Sequence, residues 1–299
     1  IVTSSADKTL KVWSVATKAA ERTITFREKP EIRDMVVGAV WTTAGDIVAV
    51  KLDGSIHVIS DWASGSQQMR TLIAHQVGIT CLALSDGGSS LLSAAFDGTL
   101  ACRDLNTGMA TSISGLDARS VNGAAHKGKI VGLAACDSNR ALSVGWDDKL
   151  VTIVPKEPVI SAAKDLGAQP VALACAGAVT FVATTQGLLA YSSADQALVV
   201  TQLLDFTPTA AVGIGEAALG LLVVVGGNDN AAHVFSLQSS VLTEASSLSC
   251  SSEVSALAFS SGTLAVGERG RQINVYKMQD GGATWQKIVC RTDELYVLA

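Results

Sequence analysis

One short element recurs seven times along the 299-residue chain: an Asp-Gly-like turn followed by a strand that alternates apolar and polar residues. It reads Asp7-Lys-Thr-Leu-Lys-Val-Trp13, Asp53-Gly-Ser-Ile-His-Val-Ile59, Asp97-Gly-Thr-Leu-Ala-Cys-Arg103 and Asp147-Asp-Lys-Leu-Val-Thr-Ile153. It returns as Gln186-Gly-Leu-Leu-Ala-Tyr-Ser192, Asp229-Asn-Ala-Ala-His-Val-Phe235 and, most weakly, Gly270-Arg-Gln-Ile-Asn-Val-Tyr276. Successive copies start 46, 44, 50, 39, 43 and 41 residues apart, a mean of about 44. A fixed period of this length marks one supersecondary unit stacked repeatedly, each copy burying its faces against its neighbours.

Each copy is preceded by an apolar strand, such as Leu91-Leu-Ser-Ala-Ala95, and before that by a strand with a Leu-Ala step, such as Cys81-Leu-Ala-Leu84. A fourth strand follows the turn strand, as in Glu21-Arg-Thr-Ile-Thr-Phe26. Four strands in a period of 40–45 residues predict an all-β chain, a WD-repeat β-propeller of four-stranded antiparallel blades. Innermost strands buried on both faces would account for the runs of Ala, Val, Leu and Cys. They would also account for 48% apolar residues and a mean hydropathy of +0.36 without a spanning helix. The longest apolar runs, 171–183 and 217–225, fall short of the roughly 18–20 residues that such a helix needs. Two organisations fit the ends of the chain. Residues 1–299 could be seven repeats of one propeller, with a strand at 295–299 completing the repeat split between the termini. Alternatively, residues 1–74 would end a first propeller and 75–299 would form most of a second.

The motifs that imitate catalytic sites have simpler readings in this frame. His75, Ser93 and Asp97 have the composition of a hydrolytic triad, but His126, Ser143 and Asp147 repeat it at nearly the same spacing. A triad is defined by geometry rather than content, and WD repeats use these residue types structurally. There the turn Asp accepts from the His, the His engages a strand hydroxyl, and the hydroxyl meets a Trp indole. Thr3, Asp7 and Trp13 keep the remaining positions, whereas Arg103 and Ile153 replace the Trp in the two His-containing copies. Gly213-Ile-Gly-Glu-Ala-Ala218 fits a relaxed dinucleotide pattern, but a strand-like run follows it where a helix would be required, so a turn is expected. Asp147-Asp148 and Asp293-Glu294 are expected to be solvated. No metal-ligand spacing, phosphate loop or cofactor motif occurs, and no catalytic residue is assigned.

The 22 basic and 27 acidic residues leave a net charge of −5, which predicts no attraction to nucleic acid or anionic lipid. Six cysteines without a C-x-x-C pair, and the absence of any N-x-S/T site, predict buried thiols in a reducing compartment. No cationic leader precedes an apolar run, so no signal peptide is expected and the expected location is cytoplasmic. Two segments break the pattern. Residues 27–34 carry six charges in eight positions: Arg27, Glu28, Lys29, Glu31, Arg33 and Asp34. The 50-residue interval contains an insertion at 114–123 that includes Asp117 and Arg119. Irregular segments on a rigid scaffold often carry contacts, so these eight residues are the candidate partner-binding set.

Beyond the general repeat, Val37-Gly-Ala-Val-Trp-Thr-Thr-Ala-Gly-Asp-Ile-Val-Ala-Val50 followed by Leu52-Asp-Gly-Ser-Ile resembles a degenerate repeat of the actin-interacting protein 1 family. Arg70-Thr-Leu-Ile-Ala-His75, Phe96-Asp-Gly-Thr-Leu, Gly145-Trp-Asp-Asp-Lys-Leu150, Gln169-Pro-Val-Ala-Leu173 and Glu253-Val-Ser-Ala-Leu-Ala-Phe259 follow in that family's order. The resemblance implies a non-enzymatic, monomeric scaffold of the actin cytoskeleton that binds filaments decorated with cofilin and promotes their disassembly. It also implies that the chain starts late in a first propeller and stops within a second. The inserted loop and the weak later copies depart from the family pattern, and no binding residue is carried over. The competing expectation is a WD-repeat subunit of another assembly, such as a ubiquitin-ligase or RNA-processing complex.

Overall fold

The computed structural model describes residues 1–292 except 65, 74, 86–87, 114–124, 138, 158, 218–219, 271 and 283. The candidates Asp117 and Arg119, and the strand expected at 295–299, lie outside the described residues.

Seven antiparallel sheets follow one another along the chain, each with its strands in sequence order. Blade 1 has three strands (Val2–Ser4, Thr9–Ser14, Ala19–Thr25) and corresponds to the second to fourth strands of the others. Blade 2 comprises Val36–Trp41, Ile47–Lys51, Ser55–Ser60 and Gln68–Ile73. Blades 3 and 4 open with Ile79–Ser85 and Ile130–Asp137; blades 5, 6 and 7 open with Pro170–Ala176, Pro208–Ala217 and Val254–Ser260.

The chain divides into two compact units, one spanning Ile1–Asp165 and one taking up the chain at Leu166. In the first unit the opening strands of blades 2, 3 and 4 lie side by side, and in the second those of blades 5, 6 and 7 do the same. Cores form where blades face each other. Leu10, Ile24, Val36, Ile47 and Ile59 pack between blades 1 and 2, and Leu92, Ile130, Val151 and Ile153 between blades 3 and 4. In the second unit, Phe181, Leu188, Val223 and Phe235 do this between blades 5 and 6.

Burial differs from the expectation in one respect. The continuously buried strands are the second ones, such as Ile47–Lys51 and Leu91–Ala95 of Ser90–Ala95, whereas the opening strands are only partly buried. In blades 2–7 the second strand has a sheet neighbour on both edges, and in blades 2, 3 and 6 it has a blade against both faces. Opening strands are sheet edges, so their side chains are covered less completely.

The repeated turn explains the repeated sequence. Its second residue takes a positive φ, +82° at both Gly54 and Gly98. Lys8, Asp148 and Asn230 adopt the same hand at +75°, +57° and +65°. Gly98 is additionally fixed by space, because a Cβ there would lie 2.1 Å from the His126 carbonyl oxygen. The turn Asp then caps the following strand: Asp97 accepts from the amide and hydroxyl of Thr99 at 3.1 and 2.7 Å, and Asp53 from the Ser55 amide at 3.0 Å.

Two expectations are corrected here. Gly213–Ile214–Gly215 lie inside a strand, not a turn. Gly213 is required because a Cβ would meet the Cys175 carbonyl of the neighbouring strand at 2.1 Å. The cysteines are not all thiols. Cys81, Cys102 and Cys250 are free, but Cys136 and Cys175 are disulfide-bonded, since spacing along a chain does not report which sulfurs meet in space.

Candidate protein-interaction surface

The His-containing networks brace the blades. His126, 2% exposed, reaches Ser143 Oγ through Nε2 at 2.8 Å and Asp147 Oδ1 through Nδ1 at 2.7 Å. Asp147 also accepts from the Lys127 amide at 2.9 Å. Burial pushes the Asp147 carboxyl up, but the bonds from His126 and Lys127 outweigh it and hold the group below its ordinary range. Asp147 is therefore engaged rather than solvated. In blade 3 the relay has one more member: His75 touches Ser93 Oγ at 2.8 Å and Thr99 Oγ1 at 3.0 Å, and Thr99 donates to Asp97. Burial holds the His75 imidazole below its usual pKa. In blade 1 the Trp13 indole donates to Thr3 Oγ1 at 2.9 Å. The two histidine relays each tie the loop entering a blade to its second strand and to the following turn, and the Trp13–Thr3 bond ties two strands of blade 1 together, which is a structural arrangement.

Blade 2 replaces this arrangement with charge. Where neighbouring blades carry Ala95 or Gly145 before the turn, this one has Lys51. The buried Lys51 ammonium meets Asp34 Oδ1 at 3.0 Å and Asp53 Oδ2 at 3.3 Å. Asp34, 1% exposed at its side chain, also faces Arg27 Nε at 3.5 Å and accepts from the Glu31 amide at 2.9 Å. Its own burial works against ionisation, yet the Glu31 amide and the Lys51 and Arg27 charges leave the carboxyl below its ordinary range. His57 lies in the same blade against Phe26, with ring centroids 4.9 Å apart. Burial, then the Lys51 charge, lower its pKa to about 4.

This network anchors the charged segment. Asp34 closes a single 3-10 turn, Ile32–Asp34, and holds it down on the blade. Glu28, Lys29, Glu31, Ile32 and Arg33 remain exposed above it, with Arg33 Nε 2.8 Å from Glu31 Oε2 and Ile32 70% exposed. Lys8 Nζ donates to the Pro30 carbonyl at 3.2 Å, and an open cleft of about 590 Å³ runs between Lys8 and residues 30–33. Five of the six candidates thus present side chains to solvent, with Arg27 44% exposed, and Asp34 sits beneath them.

Sequence reading did not single out a second surface, formed by the residues just before the turns of blades 2, 3 and 4. Leu52, Phe96 and Trp146 are 43%, 56% and 51% exposed, and Val77 beside them is 36% exposed. Phe96 and Trp146 meet edge to face with centroids 6.2 Å apart. Among the described residues, no cluster of three His, Cys, Asp or Glu could hold a metal, and no helix is long and apolar enough to cross a membrane.

Antiparallel blades in sequence order, the turn Asp and the His126–Ser143–Asp147 relay give the chain the fold of a WD-repeat β-propeller. Residues 66–104 match the family described as WD domain, G-beta repeat. The chain is 26% identical over 289 residues to WD repeat-containing protein 1 of Xenopus tropicalis, a match that covers 94% of this chain and 45% of that protein. It is 26% identical over 255 residues to actin-interacting protein 1 of Caenorhabditis elegans, covering 83% and 39% respectively. The chain thus spans less than half the length of these relatives. A crystal structure of the computationally designed Ika8 protein superposes with a TM-score of 0.72 at 21% identity, covering 98% of this chain and 84% of the other.

Proposed function

We propose that this chain is a non-catalytic WD-repeat scaffold of the cytoplasmic actin cytoskeleton that binds cofilin-decorated filaments as a monomer and promotes their disassembly. The similarity to WD repeat-containing protein 1 along 94% of the chain, joined by a relative whose name is actin-interacting protein 1, carries this reading. The geometry supports it in two ways. The polar relays are spent on blade architecture, and an exposed charged segment is held in a fixed pose by a buried ion pair. Arg27, Glu28, Lys29, Glu31 and Arg33 are the proposed contact residues, with Asp34 as their anchor.

Co-sedimentation tests the proposal. The chain should pellet with cofilin-decorated filaments more than with bare ones, and should speed the loss of filament mass in a light-scattering or pyrene assay. A chain that stays in the supernatant and leaves the disassembly rate unchanged refutes it. Reversing the charges of Glu28 and Lys29, both exposed, should weaken pelleting without altering the thermal unfolding curve.

A further inference from the structure

Charge is spread along this chain with one long gap. Between Lys164 and Arg269 lie 104 residues without a lysine or arginine, although the chain's average, 22 in 299, would put about eight there. The same stretch holds eight Asp and Glu, and its one histidine is His233. It spans blades 5 and 6. The lysines and arginines of the second unit all fall at or after Arg269, in blade 7.

A groove of about 460 Å³ opens between the outer strands of these two blades, Leu198–Leu203 and Val241–Ser249, a volume within the range of pockets that hold ligands. Leu204, Phe206, Phe235 and Leu242 line it, and Leu203 at its rim is 74% exposed. Asp205 and Glu244, both exposed, stand among them. The aromatic wall is fixed in place. The Phe206 ring stacks on His233 with centroids 3.9 Å apart and planes 10° apart. His233 is itself clamped, its Nδ1 meeting Glu244 Oε1 at 2.8 Å and its Nε2 meeting Asp229 Oδ2 at 3.0 Å. Whatever its proton count, His233 brings at most one positive charge against the three carboxylates. Asp205 meets no cation within ion-pair distance among the described residues.

We infer that this groove docks a basic segment of a partner protein, which lays an apolar side chain against Leu203 and Phe206 and a lysine or arginine beside Asp205 and Glu244. A cleft lined by one sign of charge concentrates ligands of the other, and complementary charge selects the partner while apolar contact holds it. Blades 5 and 6 contain no lysine or arginine that could supply the missing charge from within, so it has to arrive with the occupant. The same carboxylates repel acidic segments and phosphate backbones. This surface shares no residue with the charged segment 27–34, and the inference stands whether or not actin filaments are the partner.

The test pans a random-peptide phage library on the full chain, with counter-selection on D205K. Enriched peptides should pair Lys or Arg with Leu, Phe or Trp. A fluorescein-labelled synthetic representative, followed by anisotropy, should bind more weakly as salt rises. Asp205→Lys and Leu203→Ser should each weaken it by about tenfold. Glu157→Lys, the same reversal at an exposed acid of blade 4, should leave binding unchanged. All three variants should melt with the wild type because the replaced side chains are exposed. Enrichment of acidic or neutral peptides, or no enrichment at all, would overturn the inference. Equal weakening by D205K and E157K would reduce the effect to net charge and overturn it too, as would full binding by L203S. A concentration-dependent dimer in sedimentation velocity that L203S dissolves would also overturn it, since the occupant would then be a second copy.

Discussion

The Asp34–Lys51 pair gives the sharpest test of how blade 2 is held together. Both side chains are nearly free of solvent, at 1% and 4% exposure, and their charged atoms lie 3.0 Å apart. Removing one member of a buried pair strands the other charge and typically costs about 3–5 kcal/mol, whereas replacing both with apolar groups is often close to neutral. Each partner here has a second, wetter contact: Lys51 keeps Asp53 at 3.3 Å, and Asp34 keeps Arg27 at 3.5 Å. The low end of that range therefore applies. Lys51→Met and Asp34→Leu should each cost about 3 kcal/mol. The double variant should cost about 2 kcal/mol, chiefly the lost bond from the Glu31 amide, rather than the roughly 6 kcal/mol expected of independent sites. Urea unfolding followed by tryptophan fluorescence measures all three. At about 2 kcal/mol per molar urea, a single replacement moves the midpoint by about 1.5 M. Additive costs in the double variant, or single costs below about 1 kcal/mol as for an exposed pair, would refute the reasoning. The acid limb adds a second readout. Because the Asp34 carboxyl is held below its ordinary range in the fold, its stabilisation is present above the unfolded value of about 3.9 and fades as pH falls through the folded one. Lys51→Met should move that acid loss to higher pH.

The other expectations concern the histidines. His126→Ala removes bonds to Ser143 and Asp147 and should cost about 3 kcal/mol, lowering the melting temperature by roughly 6–12 °C in calorimetry. An unchanged melting temperature would remove the structural role assigned to that relay. His57 has a folded pKa of about 4, so the unfolded chain binds the extra proton first as pH drops. Its contribution is complete above the unfolded value of about 6.5 and lost between there and about 4. Urea midpoints of wild type should decline across that window more steeply than those of His57→Gln, and parallel slopes would contradict the assignment.

What was legible in the sequence follows from distance along the chain. The turn, its positive-φ residue and the strand after it are local, so Asp53-Gly54 and Asp97-Gly98 announce themselves within two residues. The partnership of His126 with Ser143 and Asp147 was legible because the repeat supplies the register. In blade 3 the same logic omitted Thr99, since a hydroxyl beside the turn can intercept the carboxylate before the imidazole does. Gly213 was misread as a turn glycine because a residue made small by a neighbouring strand 38 positions away looks the same in one dimension. The charged segment was visible as a run of charge, but that Asp34 turns inward depends on Lys51, 17 residues later. The apolar surface before the turns was not legible at all. Leu52, Phe96 and Trp146 sit one per repeat, each unremarkable alone, and only stacking of the blades makes them a surface.

The anchoring around Gly98 has a practical consequence. The Gly98 carbonyl accepts from the Ala125 and His126 amides at 3.0 and 3.2 Å, while Ile113 donates to Leu100 at 3.0 Å. Ile113 and Ala125 are thus both tied to the turn at Gly98 and the strand that leaves it. Doubling the length of chain between them costs only about 0.6 kcal/mol in closure entropy. These two backbone anchors fix where the chain leaves blade 3 and where it enters blade 4, so a reporter or affinity sequence inserted between positions 113 and 125 should leave the repeats in register.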